Sequence, residues 1–227
     1  QVPANNHRLG SLCALIIHSW LMDSGRRPRR LTRYLKDLAD CVTDLISATG
    51  TPQEGSLAYG KFILEFLLLL QLFAGALERD LPEAVVQRSR ALVGWFAQMA
   101  GPESFVPNLG DASDEHAFPF GAYLLHEADC LELGRKLFFR EQALSAAPLD
   151  GLLSGLFGTK SPGTQPFPCP GAAFIDADGS YGRVSRVNDS GRWTAWMRGG
   201  GFGLPPNFAH SHSDLLAPVI YLDGRPM

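Results

Sequence analysis

The stretch Phe62 to Leu77 is apolar on almost every side, and this constrains the fold more than any other feature of the chain. Phe-Ile-Leu-Glu-Phe-Leu-Leu-Leu-Leu-Gln-Leu-Phe leaves no polar face, so a helix here has to be wrapped by other helices. It carries Glu65 and Gln71 and, at this length, falls short of a bilayer span, which argues against a transmembrane segment. The stretch before it differs: Leu31, Tyr34, Leu35, Leu38, Val42, Leu45 and Ile46 form a one-sided stripe closed by Gly50 and Pro52. Ahead of that, Leu9, Leu12, Cys13, Ile16 and Trp20 recur at helical spacing, with Asn5 or Asn6 able to cap the start. A fourth helix is expected from Leu81-Pro82, with Pro at a first-turn position, through Val85, Val86, Leu92, Val93 and Phe96 to Gly101-Pro102. One-sided helices beside an enclosed one imply two layers. Helical hairpins arranged as a toroid give that alternation, whereas a simple bundle would make every helix amphipathic.

Helical patterning runs from residue 5 to about residue 157, and residues 1–157 are read as the toroidal part. The run 158–171 is rich in Pro and Gly and reads as a linker. From residue 172 to 227 short β-type segments alternate with turn signals. Ala172–Ile175 precedes Asp178-Gly179, and Tyr181–Val187 precedes Asn188-Asp189-Ser190-Gly191. Trp193–Met197 precedes Gly199-Gly200-Gly201, and Leu216–Leu222 precedes Asp223-Gly224. The fold class is therefore α+β and multidomain, a helical toroid followed by the start of an antiparallel sheet domain. The chain begins at Gln1 without an initiator Met and stops just after a turn signal, so it is expected to be a piece of a longer protein. The next strand is then expected past Met227, leaving the strand that ends near Leu222 with an unpaired, aggregation-prone edge.

Composition removes several classes. The 227 residues are 45 % hydrophobic and 19 % charged, which excludes a disordered or collagen-like chain. Twenty Lys and Arg against 23 Asp and Glu give a formal charge of −3, which excludes a basic nucleic-acid footprint spread over the whole molecule. Cys13, Cys41, Cys130 and Cys169 form no CxxC pair, against a zinc ribbon or thioredoxin motif.

Three clusters carry candidate chemistry: Asn5-Asn6-His7-Arg8, Glu54-Gly55-Ser56-Leu57-Ala58-Tyr59, and His210-Ser211-His212-Ser213-Asp214. The first also reads as a helix cap, and Tyr59 as an amphipathic residue at the start of a buried helix. In a strand the two imidazoles of the third cluster would share a face; in a loop they could still converge on one ion or substrate. Asp111 and Asp114 lack EF-hand spacing and read as loop-shaping, and Gly199-Gly200-Gly201 precedes no helix, against a phosphate cradle. His18 falls in an apolar helical stripe and is expected at a core or interface. His116 and His126 have no partner legible in the sequence.

Taken together, these clusters resemble the heparinase II/III-like family of polysaccharide lyases. Its Asn-Asn-His element resembles Asn5-Asn6-His7. Its Glu-Gln-Ser-x-x-Tyr type of element resembles Gln53 to Tyr59, with acid and amide not in the usual order. Its Gly-Asp-x-Asp type of loop resembles Gly110 to Asp114, and its His-x-His-x-Asp element resembles His210 to Asp214. The resemblance spans residues 5 to 227. It implies an α/α toroid followed by an antiparallel β-sandwich, and a periplasmic or secreted protein acting on an acidic polysaccharide or oligosaccharide. Residue by residue, it implies catalytic roles for Asn6, His7, Tyr59 and His210. It implies substrate contacts from Asn5, Arg8, Ser56 and Arg198, and makes His212 one ligand of a zinc ion whose other ligands lie past Met227.

A uronate-cleaving lyase removes the proton next to a sugar carboxylate and expels the glycosidic oxygen. The carboxylate already carries charge and the intermediate carries more, so donors or positive groups must sit against it. Asn6 donates without charge and His7 in either protonation state. Tyr59 serves as base or acid; its ordinary pKa of about 10 must be lowered for the former. Two rival readings stand beside the lyase. His210-x-His212-x-Asp214 also resembles the start of a metallohydrolase signature, though Leu215 stands where that motif continues with His. A non-catalytic acidic-glycan-binding protein on the same scaffold is the other.

Overall fold

The computed structural model describes residues 3–22, 28–101, 105–112, 116–117, 127–139, 166–178, 180–205, 208–210, 212 and 214–227. They form an α+β protein with five helices followed by a five-stranded antiparallel sheet. Asp114, His126, Ser211, Ser213 and the 158–165 part of the expected linker lie outside the described residues.

Helix α1 (Asn6–Leu21) begins where Asn5 caps it: the Asn5 side chain accepts from the Arg8 N–H at 2.8 Å. Its face of Leu9, Leu12, Cys13, Ile16 and Trp20 is buried against α2 (Pro28–Leu45), which contributes Leu38, Cys41, Val42 and Leu45. Helix α3 (Leu57–Ala76) packs on α1, on α4 (Glu83–Ala100) and on α5 (Glu127–Phe138), as an all-round apolar helix requires. The expectation for α3 was too short. Capped by Ser56, it starts at Leu57, five residues before the apolar run begins, and its 20 residues are long and apolar enough to cross a bilayer. The exclusion based on length therefore does not hold. In this fold α3 lies among other helices, with Glu65 fully buried. Glu65 is met by Lys61 Nζ at 3.6 Å, by His116 Nδ1 at 3.1 Å and by the Ala117 N–H at 2.7 Å. His116 thus has a partner that sequence spacing did not reveal. His18, expected at a core or interface, is not in the core: it is exposed in the last turn of α1. Pro82 occupies the N-cap position of α4, one residue before the helix, where the expectation put it inside the first turn.

The sheet is a meander, β1 (Ala173–Ile175), β2 (Tyr181–Asn188), β3 (Gly191–Arg198), β4 (Val219–Leu222) and β5 (Arg225–Pro226), each strand antiparallel to the next. The Asp223-Gly224 turn has φ of 48° and 75°, the two left-handed residues of a tight hairpin, and returns the chain as β5. This corrects two expectations: the next strand begins before Met227, and β4 is paired on both sides. One face of the sheet, with Tyr181, Arg183, Thr194, Trp196 and Arg198, is buried. It docks on the C-terminal end of α4, whose last carbonyls have no partner within the helix. Trp196 Nε1 donates to the Met99 carbonyl at 2.8 Å and Arg183 Nε to that of Gln98 at 2.8 Å. Within the described end of the expected linker, which is mostly exposed, the half-buried Phe167 ring meets Phe139 edge-on, under the Arg135 guanidinium.

Candidate active site

The N-terminus of α1 opens onto a cavity of about 280 Å³ lined by Asn5, Asn6, His7, Glu54 and His210, with Pro3, Ala4, Leu204, Pro205 and Ala209 closing it. The first and third clusters of the sequence therefore meet. The middle cluster joins them in two ways. Glu54 lies in the wall, and the Tyr59 ring stacks on His210 with centroids 3.6 Å apart.

Asn6 is buried, and its N–H donates to Glu54 Oε1 at 2.9 Å. Its own side-chain Nδ2 and Oδ1, and the second Glu54 oxygen, are buried with no hydrogen-bond partner. Native folds seldom leave such atoms unsatisfied, so their grouping at one cavity marks a place for water or ligand atoms. Burial raises the Glu54 pKa above the ordinary carboxyl value, against the lowering effects of the Asn6 N–H, His210 and His7. His7 is exposed at the cavity rim and Arg8 is half-buried in the next position.

His210 is held by a neighbouring loop. Its Nδ1 is 3.0 Å from Asp111 Oδ2, its carbonyl accepts from the Asp111 N–H at 3.0 Å, and His212 Nε2 meets the other Asp111 oxygen. The His210 hydrogen bond, above all, holds the Asp111 carboxyl below its usual pKa. With Nδ1–H on Asp111, the neutral ring of His210 has its lone pair on Nε2. Gly110 makes the loop contact possible: with φ of 81°, a Cβ there would collide with the Gly55 and His210 carbonyls and with Ser56 Cα. His210 itself has a left-handed φ of 68°, a strain kept only where surrounding contacts enforce it.

Ser56 and Arg198, expected at the substrate, are engaged with the protein. The Ser56 hydroxyl caps α3 by accepting from the Tyr59 N–H at 3.3 Å and donates to the Asp111 carbonyl at 2.7 Å. Arg198 is buried, with NH1 3.3 Å from Asp214 Oδ1 and NH2 2.5 Å from the Gly201 carbonyl. Asp214 accepts in turn from the Gly110 N–H at 2.6 Å. Arg198 also lines a smaller cavity of about 90 Å³ with Gln53, Gly55 and Tyr181.

Zinc needs three or four converging donors. Among the described residues no group of three His, Cys, Asp or Glu side chains could hold a metal ion, and His212 Nε2 is directed to Asp111.

Sequence reasoning did not assign Glu54, Asp111 or Asp214 to the site. Glu54 was legible as the acid within the quoted Tyr59 element; Asp111 carried only the signal of a Gly-Asp loop. The chain matches no family model and no curated protein.

Proposed function

We propose that the protein is a polysaccharide lyase that cleaves a uronic-acid-containing chain by β-elimination, on a scaffold of α/α-toroid helices and a β-sandwich. The observation that carries this reading is the meeting of two imidazoles at one cavity, one of them stacked on a phenol from a distant part of the chain, beside a buried, unpartnered amide. The outer face of the sheet supports the sandwich, because Ile175, Val184, Met197 and Ile220 are exposed there side by side.

In this reading the sugar carboxylate lies against the Asn6 amide and His7. The C5 proton passes to a base drawn from Tyr59, His7 or His210, and the electron pair moves first onto the carboxyl group. As the C4–O bond breaks, that pair forms the C4–C5 double bond and the leaving oxygen takes up a proton. Tyr59 stacks its ring on His210, an imidazole that lines the cavity. Asp111 fixes the imidazole that supports the phenol.

The test is a panel of heparin-like, alginate-like and bacterial exopolysaccharide substrates, followed by the ultraviolet absorbance of the new double bond. At least one polymer should give a rise, and Tyr59→Phe should slow it by about 10²–10⁴-fold with binding nearly intact. Full activity in that variant overturns the reading. Water-dependent cleavage with no rise favours the metallohydrolase, and binding without turnover favours a glycan-binding protein.

A further inference from the structure

Glu54 is a cavity-lining carboxyl whose chemical form bears on what the site can accept. It is 3 % exposed, its Oε1 is engaged by the Asn6 N–H, and its Oε2 is buried without a partner. Beside it the Asn6 amide has both ends unpartnered. Much of the remaining wall is apolar: Pro3, Ala4, Leu204, Pro205 and Ala209. An ionised carboxyl there would present a bare negative oxygen to an apolar wall, which is costly. A protonated carboxyl presents a donor, and a donor beside an amide N–H is a receptor for a carboxylate.

We propose that Glu54 is a neutral carboxylic acid whose Oε2–H, together with the Asn6 amide, binds the carboxylate of the ligand. An O–H···O⁻ bond of this kind is short and strong, and it selects an acid sugar over a neutral one without a cation in the pocket. Burial of Glu54 works in the required direction. The groups that face it are His7 from α1, Cys41 from α2 and His210 from the loop before β4; Arg8 acts on Cys41. The Cys41 thiol is pushed up to about 11, chiefly by burial. The identity of the sugar rests on the lyase reading; the carboxylate receptor does not. In the elimination, charge accumulates on the bound carboxyl as the C5 proton leaves, the Glu54 hydrogen bond tightens, and Glu54 keeps its proton when the double bond forms.

The test is calorimetric binding of sodium glucuronate and of its uncharged methyl ester, from mildly acidic to mildly alkaline pH, in buffers of different ionisation enthalpy. Once Glu54 ionises, wild-type affinity for glucuronate should fall about tenfold per pH unit, with a proton taken up on binding. The ester should show neither effect. Glu54→Gln keeps a donor at the place of Oε2 but cannot ionise, so it should lose both the slope and the proton uptake. His7 and His210 remain in that variant, so any residual slope is theirs. Glu54→Leu should bind glucuronate weakly at every pH; where it fails to fold, the Gln comparison alone decides. The proposal is overturned by a wild-type slope persisting in Glu54→Gln, by loss of acid-side binding in that variant, or by no glucuronate binding at all. A Glu54-dependent slope with no unsaturated product from any polymer would instead overturn the lyase reading and leave the carboxylate receptor standing.

Discussion

At the residue scale the molecule maintains an unfavourable arrangement. Asn6 is buried with both side-chain polar ends unpartnered, a cost of roughly 1–3 kcal/mol for each unsatisfied group. A residue kept for stability would be satisfied or apolar, so Asn6→Leu should leave the melting temperature unchanged or raise it. The same substitution should lower the elimination rate by about 10²–10³-fold, the cost of losing one donor to developing charge. Thermal melts beside the ultraviolet assay check this; a fall of many degrees would make Asn6 a structural residue instead. Asn5 and Asn6 were both readable as caps in the sequence, and Asn5 is the one that caps. Asn6 could not be separated from it, because burial of the side chain depends on the 54–59 segment folding back over the start of α1. The burial of Glu54, though not its presence as an acid, was hidden for the same reason: an acid beside a helix start is ordinarily solvated, whereas here it is buried and accepts from the distant Asn6 N–H.

At the element scale the site depends on a short loop seated between two others. The 105–112 segment bonds to α3 through the Leu57 N–H and the Ser56 hydroxyl, and to the segment before β4 through His210 and Asp214. Gly110 is the residue that lets these backbones approach. Gly110→Ala should destabilise the fold by roughly 1–3 kcal/mol and displace His210 from Tyr59. Denaturant unfolding measures the first effect, and the loss of elimination activity in protein that is still folded reports the second; a variant with unchanged stability and rate would show the loop to be irrelevant to the site. Helices and strands were largely legible, since apolar spacing marked α1 to α4 and turn residues bounded the strands. Boundaries were less so. The start of α3 is fixed by the Ser56 cap, ahead of the apolar run, and β5 is too short to carry any alternation. α5 was not singled out: its buried residues Cys130, Leu131, Leu133, Leu137 and Phe138 are apolar, but the pattern runs over only 12 positions.

At the scale of the whole molecule, the three clusters were visible in the sequence, but their meeting was not. It is produced by docking the sheet on the end of α4, through Arg183 and Trp196, and by the Asp111 clamp. These features leave opposite marks on stability. The raised pKa of Glu54 means that the folded state binds its proton more tightly than the unfolded chain. Its contribution is complete below the ordinary glutamate range and is lost as pH rises through the folded value. Asp111 has the reverse sign: its contribution is present above the ordinary aspartate range and is lost as pH falls through its depressed value. Melting curves of wild type and Glu54→Gln should therefore diverge as pH rises across the Glu54 window, to the disadvantage of the wild type; parallel curves would contradict the assignment. The claim that joins all three scales is that these side chains eliminate across a glycosidic bond instead of adding water to it. Mass spectrometry of the oligosaccharides released from a uronate polymer tests it most directly. The account predicts fragments whose new non-reducing ends are lighter by one water than hydrolysis products, and fragments carrying the full water would contradict it.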